Sequence, residues 1–394
     1  MRKTILFVLF LGVIFTKNSY CQNNYAIDTT TKSNISIRIG FSPALIITTN
    51  DFLRSRNKTG EPITKCGAIS SEIVFQTTGR KYWHQLYHFP KFGFGVSNLW
   101  FPQTNELGTP IALYAFLDSP LHKWKKSDLS LSFNFGIAFG WNAYDSIHNP
   151  YDVLLGSKQS VFSNLALAYS YHINKKIGVQ ASLGFTHSSN GALKMPNYGI
   201  NLLYPKIAFS YNVSESPNHN IKRSLPKLNP TNEVSLTYSM GTKQIDVTGS
   251  NNDSLKTKFR DTHFTIYNLV LLYQRQISRL SKVGIGLDYT IDPSDNAHGL
   301  IAGDLTATYF PEFKEQSKLA VTLSYELAIG KLSLIIQPSF YFYRTKHDPT
   351  PLFYQRIGTR YDVWKGLYTG ASLRAVNFGQ ADWIEFSIGY KVKF

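Results

Sequence analysis

Strict alternation of apolar and small or polar residues dominates this chain. Leu129, Leu131, Phe133, Phe135, Ile137, Phe139 and Trp141 interleave with Ser130, Ser132, Asn134, Gly136, Ala138 and Gly140. Leu319, Val321, Leu323, Tyr325, Leu327 and Ile329 interleave with Ala320, Thr322, Ser324, Glu326 and Ala328. Val234 to Met240 and Val283 to Tyr289 repeat the scheme. A period of two is the signature of strands with two unlike faces. Here the apolar set is rich in aromatics and the other set is small or polar, which is the lipid-facing and lumen-facing split of a transmembrane β-barrel. The final run fits best: Ile384, Phe386, Ile388, Tyr390, Val392 and the terminal Phe394 alternate with Trp383, Glu385, Ser387, Gly389, Lys391 and Lys393. A terminal strand ending on an aromatic resembles the signal by which outer-membrane barrels are recognised for insertion.

The pattern predicts strands near 34–48, 68–78, 90–99, 109–118, 127–142, 159–173, 176–189 and 200–213. It predicts eight more near 232–244, 262–278, 281–291, 299–310, 317–329, 331–344, 364–376 and 381–394. Residues 214–231, with three prolines, read as a linker or loop between a first half, 22–213, and a second half, 232–394. The fold class is all-β, a transmembrane antiparallel β-barrel of outer-membrane type. One barrel of about 14–16 strands is the favoured closure, because only the chain end carries an insertion-type strand. An eight-stranded unit followed by a second unit is the alternative. Residues 1–21 read as a secretory signal: Arg2 and Lys3 precede the apolar stretch Ile5 to Phe15, and Ser19 and Cys21 suit a cut before Gln22. A lipoprotein signal at Cys21 is the alternative. After a cut between Cys21 and Gln22, Cys66 is the one remaining cysteine, which excludes a disulfide framework and a Cys-based metal site.

The candidate chemistry lies at the end of one strand. In the run 176–189, Val179, Ala181, Leu183, Phe185, His187 and Ser189 share one register. Residues two apart in a strand point to the same side, so the imidazole of His187 and the hydroxyl of Ser189 are neighbours. That is the minimum a histidine base needs to activate a serine. In the next run, Asn201 shares a register with Ile207, Phe209 and Tyr211. All three residues therefore fall on the apolar face. Asn174-Lys175-Lys176 is a short turn and 190–199 a longer one. Long connections of such barrels face outward, which places the pair at the external leaflet.

The run His187-x-Ser189-Asn190, followed by Leu193-Lys194-x-Pro196-Asn197-x-Gly199-Ile200, resembles the motif of the PagL-type lipid A 3-O-deacylases, outer-membrane esterases built on an eight-stranded barrel. The resemblance covers roughly residues 70–213. It implies that Ser189 is the nucleophile and His187 the general base, with Asn190 and the backbone amides near Gly191 and Ala192 stabilising the oxyanion. It also implies lipid A of lipopolysaccharide as substrate and an integral place in the outer membrane of a Gram-negative bacterium. One position departs from the family: Asn201 stands where a glutamate orients the histidine. An amide oxygen can still accept from the imidazole, as Asn does in Cys-His-Asn proteases, but it cannot neutralise an imidazolium. Asp145 and Asp152, on a neighbouring loop, are candidates to supply that charge.

The formal charge of +16 falls to about +13 without Arg2, Lys3 and Lys17. A basic surface suits a phosphorylated lipid, and a secreted barrel does not meet nucleic acid in its working compartment. The ten histidines are dispersed, and neither a metal site nor a cofactor motif is expected. Two function classes follow: an esterase acting on lipid A, or a non-enzymatic barrel such as a porin or transporter with a degenerate motif. Asp288, Asp304, Glu326 and Glu385 fall in the inward register of the second half and would suit a polar lumen. A homodimer is left open.

Overall fold

A computed structural model describes residues 34–213, 224–225, 227–247, 251–304, 306–308, 312–377 and 379–394. The expected signal segment 1–21 and most of the expected linker lie outside these residues. The described residues contain two closed antiparallel barrels of eight strands each. In the first, β1 (Asn34–Ile46), β2 (Lys65–Gln76), β3 (Lys91–Trp100), β4 (Gly108–Lys123), β5 (Ser127–Trp141), β6 (Gln159–His172), β7 (Ile177–Ser189) and β8 (Ile200–Asn212) follow in chain order. The ring closes where β8 returns to β1, with Ile39 opposite Phe209 and Phe41 opposite Ile207. The second barrel comprises β9 (Asn232–Lys243), β10 (Phe264–Gln276), β11 (Ser281–Ile291), β12 (Ser317–Ile329), β13 (Leu332–Tyr343), β14 (Phe353–Trp364), β15 (Leu367–Val376) and β16 (Gln380–Lys393). It closes between β16 and β9, with Ile388 opposite Tyr238. The sixteen strands therefore form two rings and not the single barrel of about 14–16 strands that was favoured. Alternation tells which face a residue takes but not which strand closes on which.

Two elements differ from expectation. The stretch expected as a strand at 299–310 instead starts inside a helix, α1 (Ser294–Ile301), and its other described residues, 302–304 and 306–308, are not strand. Asp304 therefore does not face a lumen; it accepts from the Thr306 backbone and hydroxyl. The strand that completes the second ring is β14, whose inward register carries Arg356 and Arg360. Those charges hide the alternation of Ile357, Tyr361 and Val363 on its other face.

The faces are inverted relative to a water-soluble sheet. Leu183, Ile207 and Phe209 are exposed, while Ala208 between the last two is fully buried. A belt of this kind, running over strands of both barrels, needs a lipid environment. Inside, buried charges are paired, as burial requires. In the first barrel Arg38 bonds Glu72, and its second nitrogen donates to Asp118 at 2.8 Å. The Lys206 ammonium and the Tyr114 hydroxyl each donate to Glu72 at 2.8 Å. In the second, Arg356 donates to Glu385 and, at 2.8 Å, to Asp288, and Arg374 reaches Glu385 at 3.3 Å. One interior space there, lined by Thr237, Arg356 and Glu385, amounts to about 10 Å³, room for about one water-sized sphere.

One end of the first barrel carries the connections 47–64, 101–107, 142–158 and 190–199, and the other carries 77–90 with two short turns. The apolar side chains of the first set join one buried cluster with the barrel interior, Tyr114, Phe116 and Tyr204 among it. Leu53, Ile63, Leu107 and Leu154 are fully buried, with Leu155 nearly so. Each such burial contributes about 1.5–3 kcal/mol. The first end is also where β7 stops and β8 begins.

Candidate active site

Antiparallel pairing sets the geometry of the site. On β7 and β8, His187 lies directly opposite Asn201, so their side chains share a face. Ser189 lies two residues further along β7 on that face. The imidazole Nε2 is 3.0 Å from the Ser189 Oγ. The Nδ1 is 2.8 Å from the Asn201 Oδ1. An amide oxygen only accepts, so Nδ1 carries the proton and Nε2 presents a lone pair to the serine hydroxyl. That is the tautomer a general base needs. The face continues below into Phe185 and Leu203, both exposed in the apolar belt. On the opposite face Thr186 is buried and accepts from the Asn164 amide at 2.8 Å.

The turn after β7 holds the remaining candidates. The Asn190 backbone N–H donates to the Asn197 Oδ1 at 2.8 Å, so this amide is already occupied. Gly191 and Ala192 follow with φ of +65° and +61°. Two consecutive residues in the left-handed region turn the chain sharply, and the alanine does so at the cost that a Cβ brings there.

Gly199 and the segment 152–155, to which the motif assigned no catalytic part, help to fix the site. Gly199 has a φ of +68°, and a Cβ on it would lie 3.0 Å from the His187 Cε1 and 3.2 Å from the Ser189 Cβ. Only glycine suits both the backbone and the space. Its N–H donates to the Leu154 carbonyl at 2.9 Å, and the Tyr198 N–H donates to the Val153 carbonyl at 3.2 Å. The carbonyls of Val153 and Leu154 thus anchor the end of the 190–199 loop beside the serine. Asp152 accepts from the Leu154 N–H at 2.8 Å. Burial, with Glu106 nearby, pushes its carboxyl up to about 7. Asn197 and Gly199 sit at fixed places in the motif, so their presence was a signal; the anchor at 152–155 has no local signature.

Of the two carboxylates considered as charge donors, Asp145 is exposed and accepts from the Ile147 and His148 backbone and the His148 ring. Asp152 serves its own loop. The partner of His187 Nδ1 is Asn201.

Comparison with known proteins gives a family. Residues 71–212 match the model described as lipid A 3-O-deacylase (PagL), and residues 232–394 match that of the acyloxyacyl hydrolase C-terminal domain. No curated protein matches the chain. Among solved structures, it is similar to OccK8 (OprE) of Pseudomonas aeruginosa, at 10% identity over 94% of this chain and 100% of that one, with a TM-score of 0.23. CdiB of Acinetobacter baumannii matches at 10% identity and a TM-score of 0.19, over 91% of this chain, which spans 60% of that one. The outer membrane phospholipase of Salmonella typhi matches at 10% identity and a TM-score of 0.16, over 94% and 93%. Scores of this size leave the closure and the site to be read from this chain's own register. With both halves matched and the motif intact but for Asn201, the chain belongs to the PagL family of lipid A 3-O-deacylases.

Proposed function

We propose that this protein is a serine esterase of the outer membrane that removes an ester-linked acyl chain from lipid A. The observation that supports this most is the unbroken hydrogen-bonded line Ser189–His187–Asn201 on the outward wall of the first barrel. In this reading the Ser189 Oγ attacks the ester carbonyl carbon while its proton passes to His187 Nε2. The oxyanion so formed is met by the Asn190 side chain and the amides of Gly191 and Ala192; one such donor is worth about 3–4 kcal/mol. The bond to the sugar oxygen then breaks, and that oxygen takes the proton from Nε2. Water, deprotonated by the same nitrogen, releases the fatty acid and restores Ser189. All three side chains come from one chain, so a homodimer is not required.

The test is mass spectrometry of lipid A from cells carrying the wild type, Ser189→Ala or His187→Ala. The wild type removes one hydroxyacyl mass, and each variant abolishes that loss while still migrating as a folded barrel. A variant with wild-type turnover on purified lipid A would overturn the roles. An unchanged lipid A profile with the wild type, under several growth conditions, would favour a non-enzymatic barrel. A conducting barrel needs an open lumen, and the ion-paired interior of the second barrel favours the esterase.

A further inference from the structure

The turn after Ser189 does not stay with the first barrel: Gly191–Met195 forms one compact unit with residues 225–394. We propose that Gln244, the residue directly after β9, is a positioning residue that holds this turn so that the Gly191 and Ala192 amides meet the oxyanion. This rests on the esterase reading above.

The stretch 192–195 meets Gln244 at both ends. The Gln244 backbone N–H donates to the Ala192 carbonyl at 3.2 Å. Its side-chain Oε1 accepts from the Met195 N–H at 3.0 Å. The amide has one orientation, because its Nε2 lies 3.1 Å from the His263 Nε2 and an NH2 group can only donate. Gln244 is buried, and its own backbone starts from a fixed point. The buried Lys243 before it is tied to Asp292 at 2.9 Å and to Asp382 at 2.8 Å. On the other side of the turn, a Cβ added to Gly191 would run into the Ile384 side chain, so β16 packs directly against it.

The turn needs such a hold. Gly191 and Ala192 both have positive φ, and an alanine there persists only where its surroundings over-determine it. Without outside contacts the 191–192 peptide would relax toward commoner backbone angles, and its N–H groups would swing with it. One donor aimed at an oxyanion is worth about 10²–10³-fold in kcat. A displacement of about 1 Å costs about 10²-fold. Gln244 and Ile384 therefore give the second half of the chain a task in the reaction. They perform it from the end of β9 and the wall of β16, and not through a lumen, which ion pairs fill.

The experiment measures kcat and KM on lipid A for Gln244→Leu, Gln244→Glu and Ile384→Ala in the full-length protein. Amide exchange of the 191–195 backbone is read alongside. Gln244→Leu removes the acceptor for Met195 and is expected to lower kcat about tenfold or more, with KM unchanged. Gln244→Glu keeps an acceptor oxygen and is expected to return kcat to near the wild-type value. Ile384→Ala opens space against Gly191 and is expected to lower kcat by a smaller factor. Exchange at Met195 should quicken in Gln244→Leu and recover in Gln244→Glu. Wild-type kcat in Gln244→Leu overturns the proposal. So does a loss confined to KM, or a Gln244→Glu as slow as Gln244→Leu, which would make the position a matter of folding alone. Should Gln244→Leu fail to fold, Ile384→Ala decides, and a wild-type kcat there overturns the proposal. If the wild type deacylates nothing while exchange at Met195 still responds to Gln244→Leu, the hold on the turn stands and the esterase reading falls.

Discussion

At the scale of single residues, the question is what an amide does in the place of a carboxylate. Asn201 holds the histidine in the required tautomer through its oxygen, at 2.8 Å. In the proposed mechanism it brings no negative charge to the imidazolium that would form when Ser189 gave up its proton. In a serine protease triad, replacing the acid by Asn costs about 10⁴-fold in kcat by fixing the wrong tautomer. Here the amide oxygen faces Nδ1, so that part of the penalty is absent and the missing charge is what remains. Asn201→Ala is expected to lower kcat at least tenfold, and Asn201→Glu to raise it above wild type. The check is kcat for the three forms on one lipid A substrate; equal rates would remove position 201 from the mechanism. His187, Ser189 and Asn201 were legible from register alone, because one strand pairing brings them together. The anchor at 152–155 was not, because backbone hydrogen bonds to Gly199 leave no mark on side-chain identity.

At the scale of elements, the strands announced themselves wherever the inward set was small. Arg356 in β14 sits in the inward register with buried partners on other strands, Asp288 on β11 and Glu385 on β16. Such partners are far apart in sequence, which is why β14 escaped notice while its pattern was present. The loop 142–158 carries a prediction of its own. The Asp152 carboxyl sits at about 7 through burial, against about 3.9 in an opened loop. Between those values the closed loop keeps a proton that the open loop has lost. Closure therefore weakens as pH rises from about 4 to 7 and is constant above that. Amide exchange at Gly199, corrected for intrinsic rates, should show protection falling from pH 5 to pH 7. In Asp152→Asn the protection should be flat with pH; an unchanged slope would clear Asp152 of the effect.

At the scale of the molecule, each ring has its own ladder of strand pairs and its own knot of two cations and two carboxylates. Removing one member leaves a buried charge unpaired, at a cost of about 3–5 kcal/mol. Glu72→Ala and Glu385→Ala should therefore each destabilise one barrel. In urea, with fluorescence from Trp141 in the first and Trp383 in the second as reporters, Glu72→Ala should lower only the first midpoint and Glu385→Ala only the second. Equal shifts of both midpoints by either substitution would mean the rings unfold as one. The choice of two rings over one was hidden because β8 runs on into Asn212 and Val213 with no terminal aromatic, and alternation does not say which strand closes on which.

On the proposed reading, the outward face of Ser189 and His187 also changes what concentration means for this protein. A nucleophile there would meet its substrate in a two-dimensional solvent, and its encounters would depend on how many substrate molecules share each patch of bilayer. Diluting the whole preparation in buffer leaves that surface density untouched, while adding inert lipid or detergent lowers it. The half-saturation point is then a mole fraction rather than a molarity.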